Sequence, residues 1–552
     1  MMQENLIRLY EKSFRENWDL PVLSDYSEKK TITYGELARE IARIHLFYKQ
    51  CGIKQGDNIA LLGKCNTNWV KVFTATITYG AVIVPILPDF NAQDSKHIIN
   101  HSDSVMLVVS ERIWDNIELD ALPNIRAAIS IETLKLLEEK EGENISKILR
   151  NLSRKLKETY PSFSPKDIVY PEVPNDQLIE LNYTSGTTGF SKGVMLTVNN
   201  LTGNVVFGMG SKLHFRGSRC LSFLPMAHAY GCAFDLLTPL AVGTHITLLG
   251  KIPSPKILVK AMSEVRPDLI ICVPLVLEKI YRKMIQPMLA KKMMRWALAI
   301  PLLDSKIYSQ IRNKLITAFG GNFTQVIVGG APLNAEVEEF LLKIKFPVTV
   351  GYGMTECAPL ISYTYWTDFV PRSSGRVLKG IMEARIDSED PQNVPGEICV
   401  HGENVMMGYY KNEEATKAVL DEDGWLHTGD MGTISEDGTI SIRGRYKTMI
   451  LTSNGQNIYP EEIEAKLNNM PLVSESLVIE RDGKLVAIVY PDSETMDNFG
   501  IKTEDLPAQM EDIRKELNKL VAPYEQIAKI QLIAEEFEKT PKKSIKRYLY
   551  NH

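Results

Sequence analysis

Short, almost wholly apolar runs alternate with helical patterns through most of this chain, and that rhythm narrows the fold more than any other feature. Residues 58–62, 82–85, 105–109, 269–273 and 325–328 each read as a strand. Many lead into helix-like segments, as in IICVPLVLEKIYRKMI at 270–285. Such alternation predicts an α/β protein with largely parallel sheets. Residues 131–160 read as a solvated amphipathic helix, with apolar side chains at three- and four-residue spacing. The chain has 552 residues, and single cores rarely grow past ~250–300, so more than one domain is expected. Near Gly444 the segments become shorter and more charged. A boundary is expected at 443–447, dividing the chain into domains 1–443 and 444–552.

Several function classes drop out on composition. The net charge is −5, with no basic excess of the kind nucleic acid requires. Seven cysteines occur at scattered spacing without a CxxC pair, which argues against a disulfide framework and a zinc site and fits a reduced, cytoplasmic protein. The N-terminal stretch MMQENLIRLYEKSF lacks the apolar run of a signal peptide. No window reaches the ~18–20 consecutive apolar residues of a membrane span. The patch MMRWALAIPLL at 293–303 is too short to span a bilayer but could lie at its inner face, peripherally.

The segment richest in chemistry is YTSGTTGFSKGV at 183–194, which follows an apolar strand at 178–181. Gly186, Gly189 and Gly193 permit close backbone approach to a ligand. The hydroxyls of Thr184, Ser185, Thr187 and Thr188, the loop N–H groups and Lys192 together make a nest suited to a triphosphate. The GxxxxGK[ST] spacing of a Walker loop is absent. A plain Ser/Gly surface loop is the competing reading, and the density of hydroxyls and glycines after a strand counts against it.

This loop resembles the signature of the adenylate-forming superfamily, which includes acyl-CoA synthetases. One departure is Ser191, where the family usually has proline before the lysine. Further stretches resemble family motifs in the same order: TYGEL at 33–37, YGAVIVP at 79–85, LPMAH at 224–228, GGAPL at 329–333, GYGMTE at 351–356, GWLHTGD at 424–430, GRYK at 444–447 and SNGQNIYPEEIE at 453–464. The resemblance covers about residues 30–550. It implies a large N-terminal domain of two α/β subdomains plus a β-barrel, followed by a small mobile α+β C-terminal domain.

It also implies roles. Gly330, Ala331 and Pro332 would pack against adenine, with Tyr352 and Gly353 beside them and the Tyr352 ring stacked on the base. Thr355 would bind the α-phosphate, and Glu356 would hold Mg²⁺, a hard cation that prefers oxygen ligands. Asp430 would accept from the ribose hydroxyls with Arg445 as its partner. His228 would lie near the acyl carboxylate and the thiol path, Lys447 would be the hinge, and Gly455 would approach the pantetheine arm of coenzyme A. The family's catalytic lysine normally precedes an Ile or Val near the C-terminus. Here Ser544 precedes Ile545. Lys542, Lys543 and Lys546 are the candidates to replace that lysine, and Lys546 is favoured.

The activity implied is ATP-dependent conversion of a fatty, long-chain acid to acyl-AMP and then to acyl-CoA. Residues 273–320, rich in Met and Lys, resemble the insertion of long-chain enzymes, and a peripheral helical hairpin fits them equally well. Asp235 is a candidate amine anchor, for which a structural role is the better reading. Two alternatives stay open within the superfamily, an acyl-AMP ligase and a synthetase that loads acyl carrier protein. A third, from another class, is a regulator that binds acyl-adenylate without turnover, a reading that Ser544 keeps alive.

Overall fold

A computed structural model describes residues 1–184, 191–251, 253–289, 291–300, 303–451, 457–481, 483–541 and 544–550. Its largest sheet has eight strands, in the spatial order 408–409, 192–197, 178–184, 82–86, 58–62, 106–109, 127–130, 136–139. The middle five are parallel and the flanking ones antiparallel. Residues of 58–62, 82–86, 106–109 and 127–130 are buried throughout. That is why these runs lack the polar alternation of a one-sided sheet. Helix Tyr34–Gln50 packs against helices Thr67–Tyr79 and Ile145–Thr159. It begins at a capping box in which Thr33 Oγ1 accepts from Glu36 N–H and Glu36 Oε2 accepts from Thr33 N–H. The amphipathic reading of 131–160 needs correcting at its start. Leu136–Glu139 is the edge strand, and the helix runs only over Ile145–Thr159. Gly142, at φ +87°, turns the chain between them.

A second sheet joins strands 219–222, 245–248, 21–25 and 30–33, parallel but for the antiparallel edge strand 30–33, and a third, wholly parallel, joins 270–272, 326–328 and 348–350. Antiparallel strands 352–353, 360–363 and 376–377, with 382–387, 396–402, 426–434 and 440–445, make the expected barrel region; the two sets are joined by a bridge from Arg376 to Thr439. Beyond it, the hairpin 473–481/484–491 with strand 527–532 packs against helices Pro460–Leu467 and Leu506–Leu520. This last unit has apolar cores of its own, around Ile463, Leu467 and Leu517 and around Leu477 and Phe537. The chain is thus an α/β protein with a large N-terminal and a small C-terminal part.

One buried side chain carries the fold to the site. Asn204 lies on helix Val198–Gly210 with no exposure. Its Nδ2 donates to Cys357 O (3.4 Å), and its Oδ1 accepts from Leu360 N–H (3.0 Å). Asn404 Nδ2 donates to Leu360 O (2.8 Å). These bonds clamp the turn that follows Thr355 and Glu356. Asn204→Leu strands the Leu360 N–H in the core, and the expected cost is ~1–3 kcal/mol, read as a lower urea midpoint at unchanged slope.

Candidate active site

A cleft opens at the carboxyl ends of the third sheet, where open α/β sheets bind ligands. Strand 326–328 delivers Gly329 and Gly330 to it, and strand 348–350 delivers Gly351 through Thr355; His228, Phe234, Ile271 and Leu360 complete much of a mainly apolar lining. Gly330 has φ +85°, the left-handed region that favours glycine. Gly353 runs so close to the chain that an added Cβ would lie 2.2 Å from Pro359 O. Ala331 and Pro332 follow as exposed residues beside the cleft. Thr355 is buried in its wall. His228 Nδ1 accepts from Tyr230 N–H (3.3 Å), so the neutral ring carries its proton on Nε2.

A chain of polar groups joins the cleft to the barrel. Tyr352 Oη donates to Asp430 Oδ2 at 2.7 Å, and Arg445 Nε lies 3.0 Å from Asp430 Oδ1. Asp430 and Arg445 stand directly opposite on antiparallel strands, which places both side chains on one face. Asp430 is only 5% exposed. Burial pushes its carboxyl above the ordinary value, the Arg445 charge pulls it back, and Glu356 adds a smaller upward push.

A second cluster surrounds Tyr409, which no sequence motif singled out. Its hydroxyl donates to Glu356 Oε1 (2.8 Å), and Lys192 Nζ lies 4.6 Å from its ring centroid. Tyr409 reaches this place because strand 408–409 pairs with 192–197, a contact between residues 215 apart that spacing cannot reveal (409 − 194). Thr184 and Lys192, at the two ends of the glycine-rich loop, are paired in register. Ser185, Gly186, Thr187, Thr188 and Gly189 lie outside the described residues.

With this geometry in view, the comparisons are decisive for the family. The model of the AMP-binding enzymes matches residues 10–410, and that of the AMP-binding enzyme C-terminal domain matches residues 447–551. The chain belongs to the AMP-binding enzyme family. It is 30% identical to the peroxisomal long chain acyl-CoA synthetase 6 of Arabidopsis thaliana, over 86% of this chain and 71% of that protein. It is 27% identical to the long-chain-fatty-acid–CoA ligase FadD15 of Mycobacterium bovis, over 94% of this chain and 90% of that one. The fold is that of ATP-bound MatB from Rhodopseudomonas palustris, with a TM-score of 0.76 at 24% identity, covering 99% and 98% of the two chains.

The remaining candidates of this AMP-binding enzyme sit in its C-terminal part. Lys447 is exposed in the short turn Tyr446–Thr448, and Gly455 lies outside the described residues. Near the C-terminus the chain folds back on itself through a bridge from Lys539 to Ile545, with Thr540 N–H donating to Ser544 O (2.8 Å). An extended strand would put Lys546 on the same face as Ser544, and this bend departs from such simple alternation. Lys546 Nζ is 3.4 Å from Glu538 Oε2, away from the cleft lining. Lys539 pairs with Glu475 (2.8 Å), and Arg547 with Glu464 and with Glu461. Lys542 and Lys543 lie outside the described residues. Asp235 is buried within the helix that follows His228 and does not line the cleft, as a structural residue would be.

Among the described residues, Glu397, Cys399 and His427 have potential metal-binding atoms within 4.8 Å of one another. The cysteine spacing gave no hint of this group, which forms across paired strands. Its dominant contact is His427 Nδ1 to Glu397 Oε2 at 2.9 Å, a hydrogen bond that needs no ion.

Glu180 lies on strand 178–184, which leads into the glycine-rich segment, and is 1% exposed. Its Oε1 accepts from Asn182 Nδ2 (2.8 Å), and Asn182 also donates to Ala227 O beside His228. Oε2 has no hydrogen-bond partner among the described residues. Burial pushes this carboxyl from 4.5 up to about 7, and the Asn182 hydrogen bond opposes that. With the folded value raised, its contribution to stability is full below pH ~4.5 and is lost as pH rises through ~7. Glu180→Gln removes that slope. Across this window the stability of the variant relative to wild type is expected to rise by ~3 kcal/mol, read by urea titration at several pH values.

Proposed function

We propose that this protein is an acid–thiol ligase that activates a long-chain fatty acid with ATP and transfers the acyl group to coenzyme A. The observation that carries the reading is the Tyr352–Asp430–Arg445 chain, which starts in the cleft wall, together with the Glu356–Tyr409–Lys192 cluster, whose Glu356 directly follows Thr355 of the same wall. The names of the relatives, all acyl-CoA synthetases or ligases of long-chain acids in the two cases given, support the choice of acid and acceptor.

In the first half-reaction the acid's carboxylate attacks the α-phosphorus of ATP, and pyrophosphate leaves with the electrons of the broken P–O bond. Asp430, held in place by Arg445, accepts hydrogen bonds from the ribose. The ring of Tyr352 and the backbone from Gly330 to Pro332, with Gly353, bound the base. Thr355 donates to the α-phosphate. Lys192 and the hydroxyls of the loop from Thr184 to Thr188, with Gly189, meet the β- and γ-phosphates. Such fixed donors stabilise charge that grows in the transition state and do not have to reorganise. Glu356 suits Mg²⁺, since one carboxylate together with substrate phosphates is the usual way that ion is held. When bound, it would neutralise phosphate charge.

In the second half-reaction the thiol of coenzyme A adds to the acyl carbonyl and AMP leaves. His228, with N–H on Nε2, borders both the apolar wall and the phosphate side, where it can position the carboxylate and then the thiol. The C-terminal domain, 444–552, would turn about Lys447 to bring Gly455 to the pantetheine and, in the other orientation, a lysine to the α-phosphate. Lys546 is the proposed lysine, its contact with Glu538 being exposed and weak enough to exchange.

The test is release of AMP and pyrophosphate from ATP with palmitate, with and without coenzyme A. Palmitoyl-CoA formed in step with AMP is the expected result. Pyrophosphate without thioester would point to an acyl-AMP or carrier-protein enzyme. Nucleotide binding without turnover would favour the regulator, a reading that rests on Ser544. Asp430→Asn is expected to lower kcat/KM for ATP by ~10²–10³-fold. Tyr409→Phe, which leaves the ring beside Lys192, should have a smaller effect of ~10-fold, the scale of one lost hydrogen bond to a charged group. Lys546→Ala should abolish adenylation while thioester formation from supplied acyl-AMP persists. Unchanged adenylation would pass the role to Lys542 or Lys543.

A further inference from the structure

The segment after the third sheet's first strand has a charge pattern unlike the rest of the chain. Between Glu278 and Asp304 there are six cations, Lys279, Arg282, Lys283, Lys291, Lys292 and Arg295, and no acid, in a protein whose net charge is −5. Arg282 is engaged with Asn468 O. Lys279, Lys283, Lys291 and Lys292 are exposed.

The same segment carries the most exposed large apolar side chains in this region. Met293 is 86% exposed, Trp296 76% and Met284 56%. Met293 and Trp296 are three apart on helix Lys292–Leu298 and so lie on one side of it. Exposed Ile300 and Leu303 follow at its end. The helix packs on helix Leu303–Ala318 and on Gln286–Leu289, which carry it as a platform. No described helix is long and apolar enough to cross a membrane.

We infer that the edge bearing Lys279, Lys283, Lys291, Lys292, Met293 and Trp296 is a docking edge for an anionic lipid surface. Trp296 and Met293 enter the headgroup boundary, and the flanking lysines meet lipid phosphates. Two features choose this occupant over a protein groove. The cations are uninterrupted by acids, which complements an anionic surface of indefinite extent. The apolar group also includes a tryptophan whose ring suits the polar–apolar boundary. Docking of this kind needs neither ATP nor acyl substrate, so it stands or falls apart from the proposed ligase activity.

The experiment is co-sedimentation of the full chain, without substrates, with vesicles of phosphatidylcholine mixed with phosphatidylglycerol, and with phosphatidylcholine alone. Binding to the mixed vesicles that weakens with added salt is expected. Lys291→Gln with Lys292→Gln should weaken it by about thirtyfold, taking each cation near the surface at its usual worth. Trp296→Phe should remove most of the quenching of tryptophan emission by lipids brominated in their acyl chains. Each variant alters exposed side chains only, and an unchanged melting midpoint establishes folding. Absence of binding to the mixed vesicles, equal binding to the neutral ones, or unaltered binding by the lysine variant would overturn the proposal. Quenching that is unaltered in Trp296→Phe would overturn the placement of the tryptophan.

Discussion

A carboxylate almost entirely withdrawn from water has to be held by partners, and Asp430 is held by two that come from different parts of the chain. Tyr352 lies in the short strand 352–353 that leaves the third sheet, whereas Arg445 ends strand 440–445 of a separate antiparallel sheet. Their bonds to one side chain tie these two antiparallel sheets together. The cleft lies along that seam. Removing either partner would leave a buried charge short of compensation, which costs more than the bond itself is worth. The turn clamped by Asn204 and Asn404 meets the same seam from a helix of the first sheet's layer. The position of Glu356 therefore depends in part on Asn204, more than 150 positions away in sequence.

Much of the architecture could be read from local patterns. Strands 58–62 and 82–86 are central and covered on both faces, so their apolar runs stood out. The TYGEL stretch, picked out by its resemblance to a family motif, opens a helix through a local capping box. The candidates Tyr352, Asp430 and Arg445, which only motif order tied together in the sequence, stand in contact. Tyr409 escaped because its place depends on a short edge strand pairing with one far earlier in the chain. The edge strand 136–139 was taken for helix because its two leucines and two glutamates fit either period over four residues. At the C-terminus, alternation assumed an extended chain, and the hydrogen bond from Thr540 to Ser544 bends it.

The N-terminal and C-terminal parts are linked by polar contacts. Arg282 donates to Asn468 O, and Asn334 Nδ2 to Asn469 Oδ1. Arg443 stands 3.8 Å from Glu462. These groups form equivalent bonds with water when parted. Contacts of this type orient a domain without committing it to one arrangement, as transient interfaces within a chain commonly do.

The separation of the cores has a thermodynamic consequence. Among the described residues, no apolar cluster includes side chains from both sides of the turn Tyr446–Thr448. Turning the C-terminal part away would wet amides, carboxylates and guanidinium groups but little hydrocarbon. Exposed apolar surface raises heat capacity and polar surface lowers it. The reorientation should therefore lower the heat capacity, opposite in sign to unfolding, and the van't Hoff plot of the balance between arrangements should curve the opposite way to that of unfolding.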